Sequence, residues 1–140
     1  MRPFANRKKR GQRGLALIEM VLVLMVLVVL TFGVMEYGWM FFTMQEVTNA
    51  ARLGVRNAVL PDSTNLEVQE LVQSRMTEWG IGQSAYTITI SSADITLLNP
   101  GELLTVGIEV PYGNVELLGM TIFPMPESLR ASATMAKEGP

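Results

Sequence analysis

No cysteine and no histidine occur in these 140 residues. The first absence removes any disulfide framework and any lipoprotein-type attachment. The second removes the usual zinc ligand and the usual general base. There is no P-loop, no glycine-rich dinucleotide fingerprint and no G-x-S-x-G elbow. The carboxylates are scattered, and no pair is marked out by spacing. Enzymatic activity is therefore not expected, and neither is a cofactor or a bound metal. Charge is scarce as well, at 17% of residues. The ten methionines suit cores and helix interfaces better than metal binding.

The charge that is present is segregated. Six of the eleven basic residues (Arg2, Arg7, Lys8, Lys9, Arg10 and Arg13) lie in residues 1–14, which hold no acid. The remainder carries five basic residues against thirteen acidic ones. Behind the basic stretch runs Leu15 to Met35, 21 residues in which Glu19 is the only charge. At about 1.5 Å per residue, this helix reaches roughly 31 Å, the thickness of a bilayer's hydrocarbon core. The basic stretch then orients the membrane, with the N-terminus cytoplasmic and the acidic remainder outside. Nucleic-acid binding by the same charges is not expected, because the apolar run follows at once. A carboxylate inside a span costs about 2.5 kcal/mol or more, so Glu19 should have a partner.

Three kinds of segment fit this stretch. One is a signal anchor in which Glu19 is incidental. Another is a cleaved secretory signal, but Thr31-Phe32-Gly33-Val34-Met35-Glu36 lacks the small-residue cleavage pattern. The third is a prepilin-type signal, cut on the cytoplasmic side of the Gly14–Leu15 junction, with the helix retained.

Further elements follow from periodicity. Tyr37, Trp39, Phe41 and Phe42 read as an interfacial aromatic belt. Val47, Ala50, Ala51, Gly54, Val55 and Ala58 recur at helical spacing, and Pro61 ends the run. One helix is expected from Leu15 to Leu60. Arg52 and Arg56 share a face, expected to be solvated or to pair locally through Arg56 and Asp62. A second helix opens at a capping box of Thr64 and Glu67, with Gly80 and Gly82 ending it. Its stripe of Val68, Leu71, Val72, Met76 and Trp79 is broken only by Arg75. Strands are expected around Tyr86–Ile90, Leu104–Val110 and Leu129–Met135, where apolar and polar residues alternate. Tyr112–Glu127 reads as an irregular loop and a candidate contact surface. The fold class is α+β: a long N-terminal transmembrane helix and a head of one helix and a roughly three-stranded antiparallel sheet. The expected division is a basic leader (1–14), the membrane and extended helix (15–60), and an extracytoplasmic head (61–140).

Gly14 followed by Leu15-Ala16-Leu17-Ile18-Glu19 resembles the type IV prepilin cleavage pattern. More narrowly, the run from Arg13 to Arg56 resembles the TadE-type pseudopilins, through Gly14, Glu19, Gly33, Glu36, Tyr37, Gly38, Asn49-Ala50-Ala51-Arg52, Gly54 and Arg56. A weaker echo is Arg130-Ala131-Ser132-Ala133-Thr134-Met135. Leu15 stands where many type IV pilins have phenylalanine, and Met20 where Flp-type major pilins usually have tyrosine. The resemblance implies a minor or initiating subunit of a Tad/Flp pilus, in the bacterial inner membrane or at the filament tip, in a system that serves adhesion. It implies cleavage by a prepilin peptidase after Gly14, leaving Leu15 as the new N-terminus. It implies that Glu19 pairs with that amine on a neighbouring subunit. Glu36, Gly38, Asn49, Arg52 and Arg56 would carry the family motif. The implied partners are other pilin or pseudopilin subunits, the peptidase, the inner-membrane assembly platform and the membrane itself. A type II secretion pseudopilin and an uncleaved single-pass binding module are the alternatives.

Overall fold

The computed structural model describes residues 9–119 and 123–139, with side chains from Gly14 onward. Residues 1–8 of the expected leader, and Met120 and Ile122 of the expected loop, lie outside the described residues. The architecture is α+β, as expected: a long helix, a second helix and a three-stranded antiparallel sheet. The chain divides after Tyr37 into two compact units.

The first helix, α1, spans Lys9–Ala58. It begins ahead of the expected Leu15. No proline falls between Pro3 and Pro61, and Gly11 and Gly14 cost only about 1 kcal/mol each in a helix. In the first unit its apolar side chains are exposed on every side, with Leu15 at 70%, Leu24 at 54% and Leu30 at 63%. A helix that is apolar all round needs lipid or protein about it. It is the one helix among the described residues long and apolar enough to cross a membrane. The Thr31 hydroxyl satisfies itself by donating to the Leu27 carbonyl at 2.8 Å.

The second unit is the head. Here α1 becomes amphipathic, burying Thr43, Val47, Ala50, Ala51, Val55 and Ala58. The second helix, α2 (Asn65–Glu78), opens on the expected capping box, with Thr64 and Glu67 exchanging side-chain and backbone hydrogen bonds. It ends in a Schellman motif rather than at Gly82: Gly80, at φ +77°, lets its N–H reach the Thr77 carbonyl and the Ile81 N–H reach Met76. Val68, Val72 and Met76 are its buried stripe. Arg75 interrupts that stripe harmlessly, because it pairs with Glu78 at 2.9 Å and lies 5.7 Å over the Trp79 ring.

The sheet runs in the order β1 (Thr87–Ile90), β2 (Leu103–Pro111), β3 (Ser128–Ala136). Its register sets Ile88 opposite Ile108, Ile108 opposite Ala131 and Val106 opposite Ala133, so the inward residues line up in rows. One core cluster joins Val47, Ala51, Val72, Met76, Ile108 and Val110. A second joins Val55, Ala58, Val68, Ile95, Leu104 and Val106. Ile95 enters it from a short 3₁₀ turn, Ile95–Leu97, between the first two expected strands. The Asn65 side chain fixes that turn: its amide donates to the Ser92 and Ala93 carbonyls, and its oxygen accepts the Ile95 N–H.

The end of α1 is closed by the last strand. Lys137 is 6% exposed, and its Nζ donates to the Leu60 carbonyl at 2.7 Å and the Ala58 carbonyl at 3.4 Å. A cation there satisfies orphan carbonyls and complements the helix dipole. Glu138 N–H adds a bond to Val59 O.

Gly54 packs tightly against α2 and the sheet. A Cβ there would lie 2.8 Å from Val72 Cγ2 and 3.2 Å from Val106 Cγ1, both on stiff β-branched side chains. At Gly38 nothing lies within 4 Å. Gly54→Ala should therefore destabilise the head by about 1–3 kcal/mol, through overpacking, in thermal or denaturant unfolding. Gly38→Ala should be neutral or stabilising, by up to about 1 kcal/mol. Lys137→Met should cost about 1–3 kcal/mol by stripping the buried carbonyls of their donor.

Asp94, Glu102 and Glu109 are held below the ordinary carboxylate range. Thr96, Asn99 and Arg130, respectively, hydrogen-bond their charged forms. A depressed folded-state pKa gives stability that is present above the unfolded value and lost as protons bind. The head should lose stability as pH falls below the ordinary carboxylate pKa of about 4. Thermal unfolding measured at steps between pH 7 and pH 3 would show a falling midpoint at the acid end.

Candidate functional site

The residues singled out in the sequence fall on α1, and periodicity sorts them. Gly14, Leu15 and Glu19 are all exposed, at the N-terminal end of the apolar run. Glu19 forms no salt bridge among the described residues, although exposed leucines, isoleucine and methionine flank it. Glu36 is 2% exposed, whereas Gly38 is open.

Farther along, one helical stripe holds Gln45, Asn49, Arg52 and Arg56, spaced by four, three and four residues. All four are exposed. Ala50, Ala51 and Gly54 lie on the other side of α1, buried in the head. The motif thus has a packing half and a solvent half. Arg56 does not pair with Asp62, so of the two expected arrangements the solvated face is the one present. Two guanidiniums on such a face, backed by a rigid core, are suited to a carboxylate-bearing surface. Among the described residues no group of acidic side chains is arranged to hold a metal ion.

The model for the TadE-like protein family matches residues 14–56. Over that stretch the chain is similar to the TadE-like family. The match begins at Gly14 and ends at Arg56, the interval that carries the resemblance in the sequence. It covers the whole apolar run and the part of α1 that packs into the head, and it stops short of α2 and the sheet. The TadE-like segment points to a pilus-associated pseudopilin, a structural rather than enzymatic kind of protein, with pilus-related subunits as its general class of partner. Its apolar helix suggests a single-pass membrane anchor. No curated protein and no solved structure matches the chain.

A group that sequence reading did not bring together lies next to the TadE-like segment's core face. Trp39, Phe42, Thr43 and Glu46 share one face of α1, and Trp79 joins them from the end of α2. The helical spacing of the first four was visible in the sequence; their meeting with Trp79 depends on the tertiary fold.

Because Arg52 and Arg56 are exposed, Arg52→Ala and Arg56→Ala should each leave unfolding free energy within about 0.5 kcal/mol of the parent. Ala51→Leu, on the buried side, should cost about 1–3 kcal/mol. Chemical denaturation of the three variants in detergent checks this separation of the two faces.

Proposed function

We propose that this protein is a TadE-like pseudopilin, a minor subunit for assembling or tipping a Tad/Flp pilus. The match over residues 14–56 carries this reading. It coincides with an apolar helix whose single carboxylate lies close behind a glycine junction. Residues 1–14 act as the basic leader, removed by a prepilin peptidase after Gly14. Residues 15–60 form the anchor and its extension, and residues 61–140 complete a head outside the cytoplasm. The membrane is the bacterial inner membrane, with the N-terminus inside.

Cleavage gives Glu19 its purpose. A free amine at Leu15 has a reference pKa near 8, so it is cationic at neutral pH. In lipid, an isolated amine and an isolated carboxylate are both costly, and pairing them removes both penalties. Within one helix the geometry is awkward, whereas between staggered neighbouring helices it is direct. Glu19 then sets the register of each new subunit, and the exposed face of Asn49, Arg52 and Arg56 contacts the next. Glu36 and Gly38, at the junction of the anchor and its extension, complete the motif. The work is assembly and contact through the platform and fellow subunits; with no histidine or cysteine in the chain, catalysis has little to draw on.

Mass spectrometry of the protein from native membranes should find a polypeptide beginning at Leu15. Gly14→Asp should block the accompanying loss of roughly 1.5 kDa, at about 110 Da per residue for fourteen residues. Glu19→Ala should insert and be cleaved normally but fail to enter pili, as read by immunoblot of sheared filaments. A mature chain still beginning at Met1 would sink the assignment.

A further inference from the structure

We infer that the head holds an ammonium-binding pocket between α1 and the end of α2. The cavity is about 220 Å³, smaller than the 300–1,000 Å³ typical of drug-sized ligands. Three aromatic rings wall it. Trp39 and Phe42 stack with centroids 5.8 Å apart, and Phe42 meets Trp79 edge-on at 5.4 Å. The Trp39 indole is held in place, its Nε1 donating to the Val115 carbonyl at 2.6 Å. Two carboxylates, Glu46 and Glu116, complete the lining, and no lysine or arginine is part of it.

One observation points to a cation in particular. Glu46 lines the pocket yet forms no hydrogen bond or ion pair among the described residues, and its Oε2 is closed to solvent. A half-buried carboxylate with no partner is costly to leave unanswered. Aromatic faces beside a carboxylate supply what a quaternary or primary ammonium needs: a negative quadrupole for its alkyl groups and a counter-charge for its nitrogen. The same chemistry already operates at the rim, where the Arg75 guanidinium sits 5.7 Å over the Trp79 ring. An anion would meet two carboxylates in the lining, with no lysine or arginine among the lining residues. A neutral apolar ligand would leave Glu46 unanswered.

The ammonium could be free in solution or carried on a phospholipid headgroup. Trp39 lies four residues past Met35, the last residue of the apolar run, where interfacial tryptophans are usual. That second source rests on the membrane-anchor reading; the pocket itself does not, and neither depends on pilus assembly.

The test uses the full-length protein in a nonionic detergent. The chain's two tryptophans both line the pocket, so intrinsic fluorescence reports on it directly. Choline and ethanolamine should each give a saturable change, absent with sodium chloride at equal ionic strength. Glu46→Gln should weaken the response about tenfold or more, the effect of removing a charged partner, while far-UV circular dichroism and the thermal transition stay unchanged. In nanodiscs, a response to phosphatidylethanolamine but not to phosphatidylglycerol alone assigns the lipid as the source. A response to the soluble amines only assigns a free ligand. No saturable change with either amine, or an equal change in Glu46→Gln, overturns the pocket whatever the outcome of N-terminal processing.

Discussion

A single helix has to satisfy two surroundings, and this constraint governs the chain. From Leu15 to Met35 it is apolar on every side apart from Glu19 and Thr31, and its backbone groups bond within the helix, which suits a medium without water. From Gly38 onward the same helix needs a stripe narrow enough to pack on one side and a polar surface on the other. The change of pattern shows in the residues. Leu, Val and Met crowd the first part without periodicity. Val47, Ala50, Ala51, Gly54, Val55 and Ala58 then recur every three or four positions, and they are small. Small residues let α2 and the sheet come close, and Gly54 is the extreme case. The two faces of the TadE-like motif follow from this: one half is fixed by packing, which frees the other half for contact.

Much of this was legible in the sequence because it is local. The capping box of α2 needs only Thr64 and Glu67 three residues apart. The strands betray themselves by alternation, and Pro61 and Gly80 mark boundaries through their own backbone preferences. The apolar run sets its own length. The glycine–apolar junction with Glu19 and the Asn49-to-Arg56 pattern were visible too, and the family match falls on the same interval.

What was not legible depends on distant partners. Lys137 looks like an ordinary surface charge until the fold brings it to carbonyls 77 and 79 residues away. Ile95 belongs to none of the expected strands or helices, yet it is fully buried because Asn65 ties its turn to the start of α2. The expected pairing of Arg56 with Asp62 rested on nearness in the chain, whereas their side chains point their charges to solvent. The aromatic pocket needs Trp39 and Trp79 to converge, and no window of sequence contains both in one element. The start of α1 at Lys9, ahead of the expected Leu15, follows from the small cost of glycine in a helix, about 1 kcal/mol at each of Gly11 and Gly14.

The closure of α1 by Lys137 also has a consequence for how the molecule is made. The helix is synthesised before α2 and the sheet that it packs against. Its far end, however, keeps bare carbonyls until residue 137 has been synthesised. The globular part therefore cannot finish folding until that residue has left the ribosome, and until then the end of the helix stays unsealed.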